Sequence, residues 1–238
     1  MADGKSAEMR LRRRLKCALA ASPVTAAIAD ALARFASLLL RPWTRRREAR
    51  NRAALAAFSG DGKLLCGQGL APLAPLPFAG RDFARSGCGV LAAYNALQAL
   101  GAPEPLAETA AWFARYGSMA DGALGVNPRA FPRFFKARGL AVRTLRRQKD
   151  PDAPDRAFAD ADAAVFTFWN DAARLRLGAH SVALLHAPDG GILVCNATNR
   201  SAAPERFASI RAYTESRNLL PVSLCLPARP CNPGPGSV

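Results

Sequence analysis

Apolar residues in the first half of the main part of the chain recur at the spacing of helices. Three helices are predicted from this pattern, over 88–100, from Pro105 to about Tyr116, and over 128–138. The first of them is apolar almost throughout, which is typical of a helix buried on all sides. Gly101 follows it directly and is a natural stop signal.

The second half of the chain is rich in β-branched and aromatic residues at strand spacing. Five strands are predicted, over 140–145, 164–169, 180–186, 191–197 and 220–226. The sequence Ala-Pro-Asp-Gly at 187–190 predicts a turn that joins the third and fourth strands into a hairpin. A short helix is predicted near 204–212. Helices followed by an antiparallel sheet predict an α+β domain in which the helices pack on the sheet.

This domain is expected to span residues 53–226, between a basic helical extension over 1–52 and a loose, proline-rich tail over 227–238. Half of all residues are apolar and 21% are charged, which predicts a globular protein and not a disordered one. No stretch of about 18 apolar residues is free of charge, which argues against a membrane-spanning helix. The six cysteines form no CxxC pair, which argues against a zinc ribbon or a compact disulfide scaffold.

The first 52 residues carry a disproportionate share of the positive charge. They contain 13 Lys and Arg residues and four Asp and Glu residues, so their net charge is +9 of the chain's net +15. Two arginine clusters, within 10–14 and 45–52, flank an apolar stripe of helical spacing over 23–40. Three interpretations stay open: a helical pair packed on the domain, a helix lying on an anionic membrane, or a basic arm for nucleic acid. Neither cluster is interleaved with aromatic residues, so no platform for single-stranded nucleic acid and no obligate nucleic-acid partner are expected.

Only two histidines occur in the chain, His180 and His186. Histidine is the usual general base near neutral pH, so a general base of this kind must be one of these two residues. His180 begins a predicted strand beside small residues, and His186 ends the same strand. Six residues along a strand separate them by roughly 20 Å, so the two are not expected to share a metal ion.

Cys88 is the best candidate for a nucleophile. It lies in the sequence Ser-Gly-Cys-Gly over 86–89, directly before the longest apolar helix. A helix N-terminus lowers the pKa of a thiol through its exposed N–H groups and dipole. We expect the flanking glycines to let a substrate backbone approach, and the N–H of Cys88 to contribute to an oxyanion hole.

Asn196 is the candidate for a third member of the site. It follows His180 by 16 residues, on the next strand of the predicted hairpin. Strands of this length bring the beginning of the first beside the end of the second. An asparagine there can accept a hydrogen bond from one ring nitrogen and so hold the imidazole in the productive tautomer.

The order and spacing of these residues resemble the papain-like cysteine peptidases. The likeness is greatest to the bacterial branch that includes the peptidases of double-glycine bacteriocin leaders. It rests on SGCGVLAAYNAL at 86–97, AHSVALL at 179–185 and ILVCNATN at 192–199, and it covers roughly residues 80–200. The resemblance implies a nucleophile helix packed on an antiparallel sheet that carries the base, and acyl transfer through a thioester, usually in proteolysis.

One position departs from the pattern of this family. Its members usually carry a glutamine about six residues before the nucleophile, whose side chain completes the oxyanion hole. Here that position is Asp82, whose carboxylate would repel an oxyanion, and the nearest preceding glutamine is Gln68, twenty residues before Cys88. The loss of one such donor costs about 10²–10³ in rate.

The sequence therefore predicts a thiol-dependent hydrolase that acts on a peptide or protein through Cys88, His180 and Asn196. No metal or organic cofactor is expected to be needed. Two alternatives use the same site: an acyltransferase or transamidase, and a catalytically degenerate domain that only binds peptides. Thiolate chemistry without paired cysteines favours a reducing compartment, and hence the cytoplasm, with the membrane periphery as a variant if residues 1–52 bind lipid.

Overall fold

The computed structural model describes residues 41–58, 62–146, 150–171 and 178–230. The helices of this part of the chain are α1 (Arg41–Ala56), α2 (Phe83–Ser86), α3 (Cys88–Ala99), α4 (Leu106–Tyr116), α5 (Ala130–Lys136), α6 (Ala153–Phe158) and α7 (Ile210–Ser216). The strands are β1 (Pro77–Phe78), β2 (Arg81–Asp82), β3 (Ala141–Arg146), β4 (Ala163–Trp169), β5 (Ala179–His186), β6 (Ile192–Cys195), β7 (Glu205–Phe207) and β8 (Leu220–Ala228). The predicted apolar stripe over 23–40 lies outside the described residues.

Six strands form one sheet in the order β3-β8-β4-β5-β6-β7, and every neighbouring pair in it is antiparallel. Strands β5 and β6 are the predicted hairpin, with Ala183 opposite Cys195 and His186 opposite Ile192. The short pair β1–β2 lies immediately before α2. Helices and an antiparallel sheet together give the chain the composition of an α+β domain.

Both faces of the sheet are covered by helices. Successive side chains of a strand point to opposite faces, so Val165 of β4 enters the core on the side of α3, α4 and α5. Its neighbour Phe166 enters a second core that includes Phe158 of α6 and Tyr213 of α7. Helix α3 contacts β4 and β5 on one side and α4 on another, which is why its sequence is apolar almost throughout.

Two predicted elements are corrected by the structure. The single helix expected near 204–212 is strand β7, which extends the sheet beyond β6, followed by the separate helix α7. Ser209 divides them, because its hydroxyl accepts a hydrogen bond from the N–H of Ala212 and so caps α7. Residues 227 and 228, expected to belong to a loose tail, are instead the end of β8, which pairs with β3 as far as Ala228. Residues 231–238 of the predicted tail lie outside the described residues.

Helix α1 crosses the predicted boundary between residues 52 and 53. Leu55, near its end, is only 3% exposed and belongs to the core that contains α3. Asn51 donates a hydrogen bond to the carbonyl of Ala79, and Arg47 forms an ion pair with Asp121. The end of the basic segment is therefore packed on the domain. No helix within the described ranges is both long enough and apolar enough to cross a membrane.

Candidate active site

Cys88 is the first residue of α3 and remains partly exposed to solvent. Its sulfur forms a hydrogen bond with the ring of His180. The backbone N–H groups of Gly89 and Ser181 also donate to the sulfur. The nucleophile and the base proposed from the sequence are thus in direct contact, although α3 and β5 are far apart along the chain.

The glycines on either side of Cys88 are packed tightly against neighbouring side chains. A Cβ at Gly87 would lie 2.5 Å from a ring carbon of Phe83, and a Cβ at Gly89 would lie 2.6 Å from the Cβ of Val126. Both glycines therefore permit close packing inside the protein. They fix where α3 begins, and so where the sulfur lies.

His180 is 8% exposed at the beginning of β5. Its Nε2 lies 2.8 Å from the backbone carbonyl of Asn196, which can only accept a hydrogen bond, so Nε2 carries the proton. Nδ1 is then the nitrogen that pairs with Cys88. The ring of Phe168 contacts the imidazole edge-on, with ring centroids 5.7 Å apart.

His186 lies at the other end of β5 and takes no part in this arrangement. Its ring stacks on Phe158 with centroids 4.4 Å apart, and its Nε2 lies 2.9 Å from the carbonyl of Ala161. No cluster of three or more His, Cys, Asp or Glu side chains that could hold a metal ion occurs within the described residues.

The pKa of Cys88 is lowered from its ordinary value, and the pKa of His180 is raised from its ordinary value. Burial opposes ionisation of Cys88, but the hydrogen bond and the charge of His180, with the N–H groups of Ser181 and Gly89, lower the pKa of the thiol. Burial likewise disfavours the imidazolium, but Cys88 and the carbonyl of Asn196 raise the pKa of His180. Both shifts favour a thiolate–imidazolium pair.

Asn196 contacts His180, but through its backbone and not through its side chain as the sequence suggested. Its φ of 60° lies in the left-handed region, which asparagine tolerates better than most residues. This conformation accompanies the contact between the carbonyl oxygen and the imidazole. The carboxamide makes two other bonds: Oδ1 accepts from the N–H of Gln68 at 3.1 Å, and Nδ2 donates to Oε1 of Gln68 at 2.8 Å.

Gln68 belongs to this site although it lies twenty residues before Cys88 in the sequence. It is 3% exposed, and its Nε2 donates at 3.2 Å to the carbonyl of Ala84, four residues before Cys88. The feature of the sequence that could have pointed to Gln68 is the pair of glycines that flank it, Gly67 and Gly69. A Cβ at Gly69 would lie 2.7 Å from the carbonyl oxygen of Asn199, so only glycine permits this approach of the two segments.

Asp82 does not occupy the position expected of it. Its carboxylate accepts a hydrogen bond from the N–H of Arg85 at 2.9 Å and so caps α2. Asp82 is absent from the described residues that line the cleft around Cys88, whereas Gln68 is among them. The repulsion of an oxyanion that Asp82 suggested is therefore not built into this cleft.

The cleft beside Cys88 and His180 has a volume of about 640 Å³ and is open to solvent. Its wall includes Gln68, the backbone near Asn199, and the guanidinium-bearing residues Arg85 and Arg217. Arg217 also forms an ion pair with Glu205. A space of this size accommodates an extended peptide segment beside the thiol.

A partly exposed thiol, a buried imidazole held by a carbonyl, and an amide side chain thus surround one cleft. Such a set can carry out nucleophilic attack on a carbonyl carbon and protonation of a leaving group. Comparison with protein-family models finds no match to this chain, and comparison with curated proteins finds none either.

Proposed function

We propose that this protein is a thiol-dependent acyl-transfer enzyme that hydrolyses peptide bonds, with a papain-like arrangement of Cys88 and His180. The observation that carries the proposal is the hydrogen bond between these two side chains at the edge of an open cleft. The shifts of both pKa values toward an ion pair support it, because a thiolate is the reactive form of cysteine.

In the proposed reaction, the Cys88 sulfur attacks the carbonyl carbon of the scissile amide and forms a tetrahedral oxyanion. The imidazolium of His180 then transfers its Nδ1 proton to the leaving amine, and the C–N bond breaks to leave a thioester. Water attacks the thioester while His180 accepts its proton. Release of the acid product restores the thiolate–imidazolium pair.

The oxyanion would be stabilised by two N–H donors. The backbone N–H of Cys88 belongs to the first turn of α3, where N–H groups have no partner within the helix. The second donor is the carboxamide of Gln68, which carries two N–H groups and gives one to Ala84. Ala84 of α2, Gln68 and Cys88 all line the same cleft, so this bond keeps the carboxamide of Gln68 at the cleft wall that also carries the nucleophile.

Asn196 is proposed as a positioning residue. Its carbonyl orients His180, and its carboxamide bonds to both the backbone and the side chain of Gln68. One residue therefore holds the base and the oxyanion donor in a fixed relation, which is the kind of preorganisation that catalysis needs. The alternative of a domain that only binds peptides was supported by Asp82, whose carboxylate was expected to repel an oxyanion. Because Asp82 caps α2 instead, it no longer supports that alternative.

The test is hydrolysis of a mixture of unstructured peptides by the full chain, with products identified by mass. We expect cleavage by the wild type and none by Cys88→Ala. The matched control is Cys225→Ala, which removes a thiol buried in β8 whose pKa burial raises to about 12. Cleavage should survive this control.

Excess primary amine added to the same mixture separates hydrolysis from transfer. A hydrolase gives free acids, whereas a transamidase gives amide products that are heavier by the amine. Absence of both products in the wild type would reject acyl transfer at this site.

A further inference from the structure

A pair of free cysteine thiols, Cys66 and Cys195, lies beside the candidate active site. The thiols of Cys66 and Cys195 are hydrogen-bonded to each other, and both are free. Cys195, the last residue of β6, is completely buried, whereas Cys66 is partly exposed. The proposed hydrolysis uses neither of them.

The segments that carry these thiols are held side by side by hydrogen bonds on the following residues. Gln68 and Asn196 are joined by two bonds, and the N–H of Gly69 donates to the carbonyl of Asn199 at 2.6 Å. The contact between the sulfurs is thus part of an extended interface between the two segments. A disulfide bond, about 2.05 Å long, would join two segments that are already bonded to each other at the following residues.

The two thiols differ in the way that a redox pair requires. The hydrogen bond from Cys195 lowers the pKa of Cys66; burial opposes this, the backbone N–H of Asn196 adds to it, and the charge of Glu205 works against it. The same hydrogen bond and burial raise the pKa of Cys195. Cys66 is therefore the thiol that ionises and meets solvent, and Cys195 is the thiol placed to resolve it.

We propose that Cys66 and Cys195 form a reversible disulfide that switches the adjacent site off, with a hydroperoxide as the oxidant. The Cys66 thiolate attacks one peroxide oxygen, the O–O bond breaks, and hydrogen peroxide yields a sulfenic acid and hydroxide, which takes up a proton. The Cys195 sulfur then attacks the sulfur of Cys66, its proton passes to the leaving hydroxyl, and water departs. Two thiols and one peroxide thus give one disulfide and two waters.

The effect on the site rests on the proposed function and follows from the positions of the neighbouring residues. Gln68 lies two residues after Cys66, and Asn196 directly follows Cys195. Drawing the two sulfurs together shifts both residues, and with them the proposed oxyanion donor and the carbonyl that orients His180. Because a displacement of about 1 Å in a catalytic group can cost 10²-fold in rate, we expect a large loss of activity.

The pair is tested by mass spectrometry, without reference to activity. The full chain with Cys88→Ser, reduced and desalted, is treated with an equimolar amount of hydrogen peroxide, alkylated and digested. We expect a peptide pair linked through Cys66 and Cys195, two mass units lighter than the sum of the free peptides, which dithiothreitol separates. In Cys195→Ala no linked peptide pair can form. We expect instead a sulfenic acid on Cys66, detected as its dimedone adduct. If Cys66 and Cys195 stay unlinked while the other cysteines are oxidised, the pair is rejected.

The effect on activity is tested by comparing wild type with Cys66→Ala, both keeping Cys88. Because both proteins keep Cys88, its oxidation contributes to the inhibition of both, and the difference between them is assigned to the pair. We expect peroxide to lower peptide hydrolysis by the wild type at least tenfold more than by Cys66→Ala, with recovery of this difference in dithiothreitol. Equal inhibition despite a linked pair would reject the switch. If reduced wild type shows no hydrolysis, the proposed function is rejected. The disulfide itself is then accepted or rejected by the mass measurement alone.

Discussion

At the scale of single residues, the chemistry of the site depends on one hydrogen bond between two side chains from different halves of the fold. Neither the Cys88 thiol nor the His180 imidazole would be charged easily when buried alone, since burial opposes ionisation of both. Each becomes chargeable because the other lies next to it. The two histidines of the chain offer a direct comparison, since His180 bonds to Cys88 whereas His186 stacks on Phe158.

Replacement of His180 should therefore raise the pKa of Cys88, because the hydrogen bond and charge that lower it are lost while burial remains. In the wild type, alkylation of Cys88 by iodoacetamide should begin at a pH below the ordinary thiol range. In His180→Ala it should require a pH above that of the wild type, and kcat/KM should fall by about 10²–10⁴. The measurement is the pH profile of alkylation, read by mass on the Cys88 peptide.

The control is His186→Ala, which removes the stacking on Phe158 and leaves the cleft intact. Its alkylation profile should match that of the wild type. For hydrolysis by the wild type, the acidic limb should lie below the ordinary thiol pKa and the alkaline limb above the ordinary imidazole pKa, since the pKa of Cys88 is lowered and that of His180 raised. Identical alkylation profiles for both histidine variants would contradict the assignment.

Gln68 and Asp82 offer a second matched comparison. Gln68→Ala should lower kcat by about 10²–10³, the usual effect of removing one oxyanion donor, and leave the pH limits of the rate unchanged because His180 keeps its carbonyl. Asp82→Ala should leave kcat unchanged and lower the free energy of unfolding by about 1 kcal/mol, the value of a helix cap. The measurements are steady-state kinetics and urea denaturation. A loss of kcat in Asp82→Ala with none in Gln68→Ala would exchange the roles proposed here.

The candidate site shows which residues a sequence can and cannot predict. Cys88 and His180 were accessible because a glycine-flanked cysteine before an apolar helix and a scarce histidine are local signals. The partnership of Gln68 with Asn196 joins residues 128 positions apart, and no local pattern reports it. The sequence predicts a contact of the Asn196 side chain with His180, whereas the structure shows a contact of its backbone carbonyl. The left-handed backbone that brings this carbonyl to His180 is a property of the folded chain.

At the scale of elements, α3 is the part that positions the nucleophile, and its beginning is fixed by packing. The long apolar run predicted this helix well because its burial leaves no polar face. The division of residues 204–212 between β7 and α7 was missed, because three residues of edge strand are too short to show an alternating pattern. Short elements at the edge of a sheet are decided by the strand beside them, here β6.

Gly89→Ala tests the packing at the beginning of α3. The added Cβ would lie 2.6 Å from the Cβ of Val126, closer than packed carbon atoms approach, so the helix start must shift. We expect a loss of about 1–3 kcal/mol in the free energy of unfolding and a fall in kcat through displacement of Cys88. Gly178→Ala is the control for stability, since its Cβ would meet no atom of the described residues within 4 Å. Equal stability of the two variants would show that Gly89 is not needed for packing.

At the scale of the whole molecule, the positive charge is concentrated at the N-terminal end, yet part of that end belongs to the folded domain. Arg47 pairs with Asp121 and Arg52 with Glu108. The arginines of α1 thus serve at least partly as partners for carboxylates of the domain. For residues 41–58, this arrangement fits the first of the three interpretations of the basic segment, a helix packed on the domain. The membrane and nucleic-acid interpretations of residues 1–52 stay predictions.

The attachment of α1 can be separated into its apolar and its ionic parts. Leu55→Ala removes a side chain that is 3% exposed in the main core, and we expect a loss of about 2–5 kcal/mol in the free energy of unfolding. Arg52→Ala breaks an exposed ion pair and should cost at most about 1 kcal/mol, less at high salt. Urea denaturation of the full chain at two salt concentrations measures both. If Leu55→Ala unfolds like the wild type while Arg52→Ala is strongly and salt-dependently destabilised, α1 is an electrostatically attached arm, and the boundary after residue 52 is the correct division of the chain.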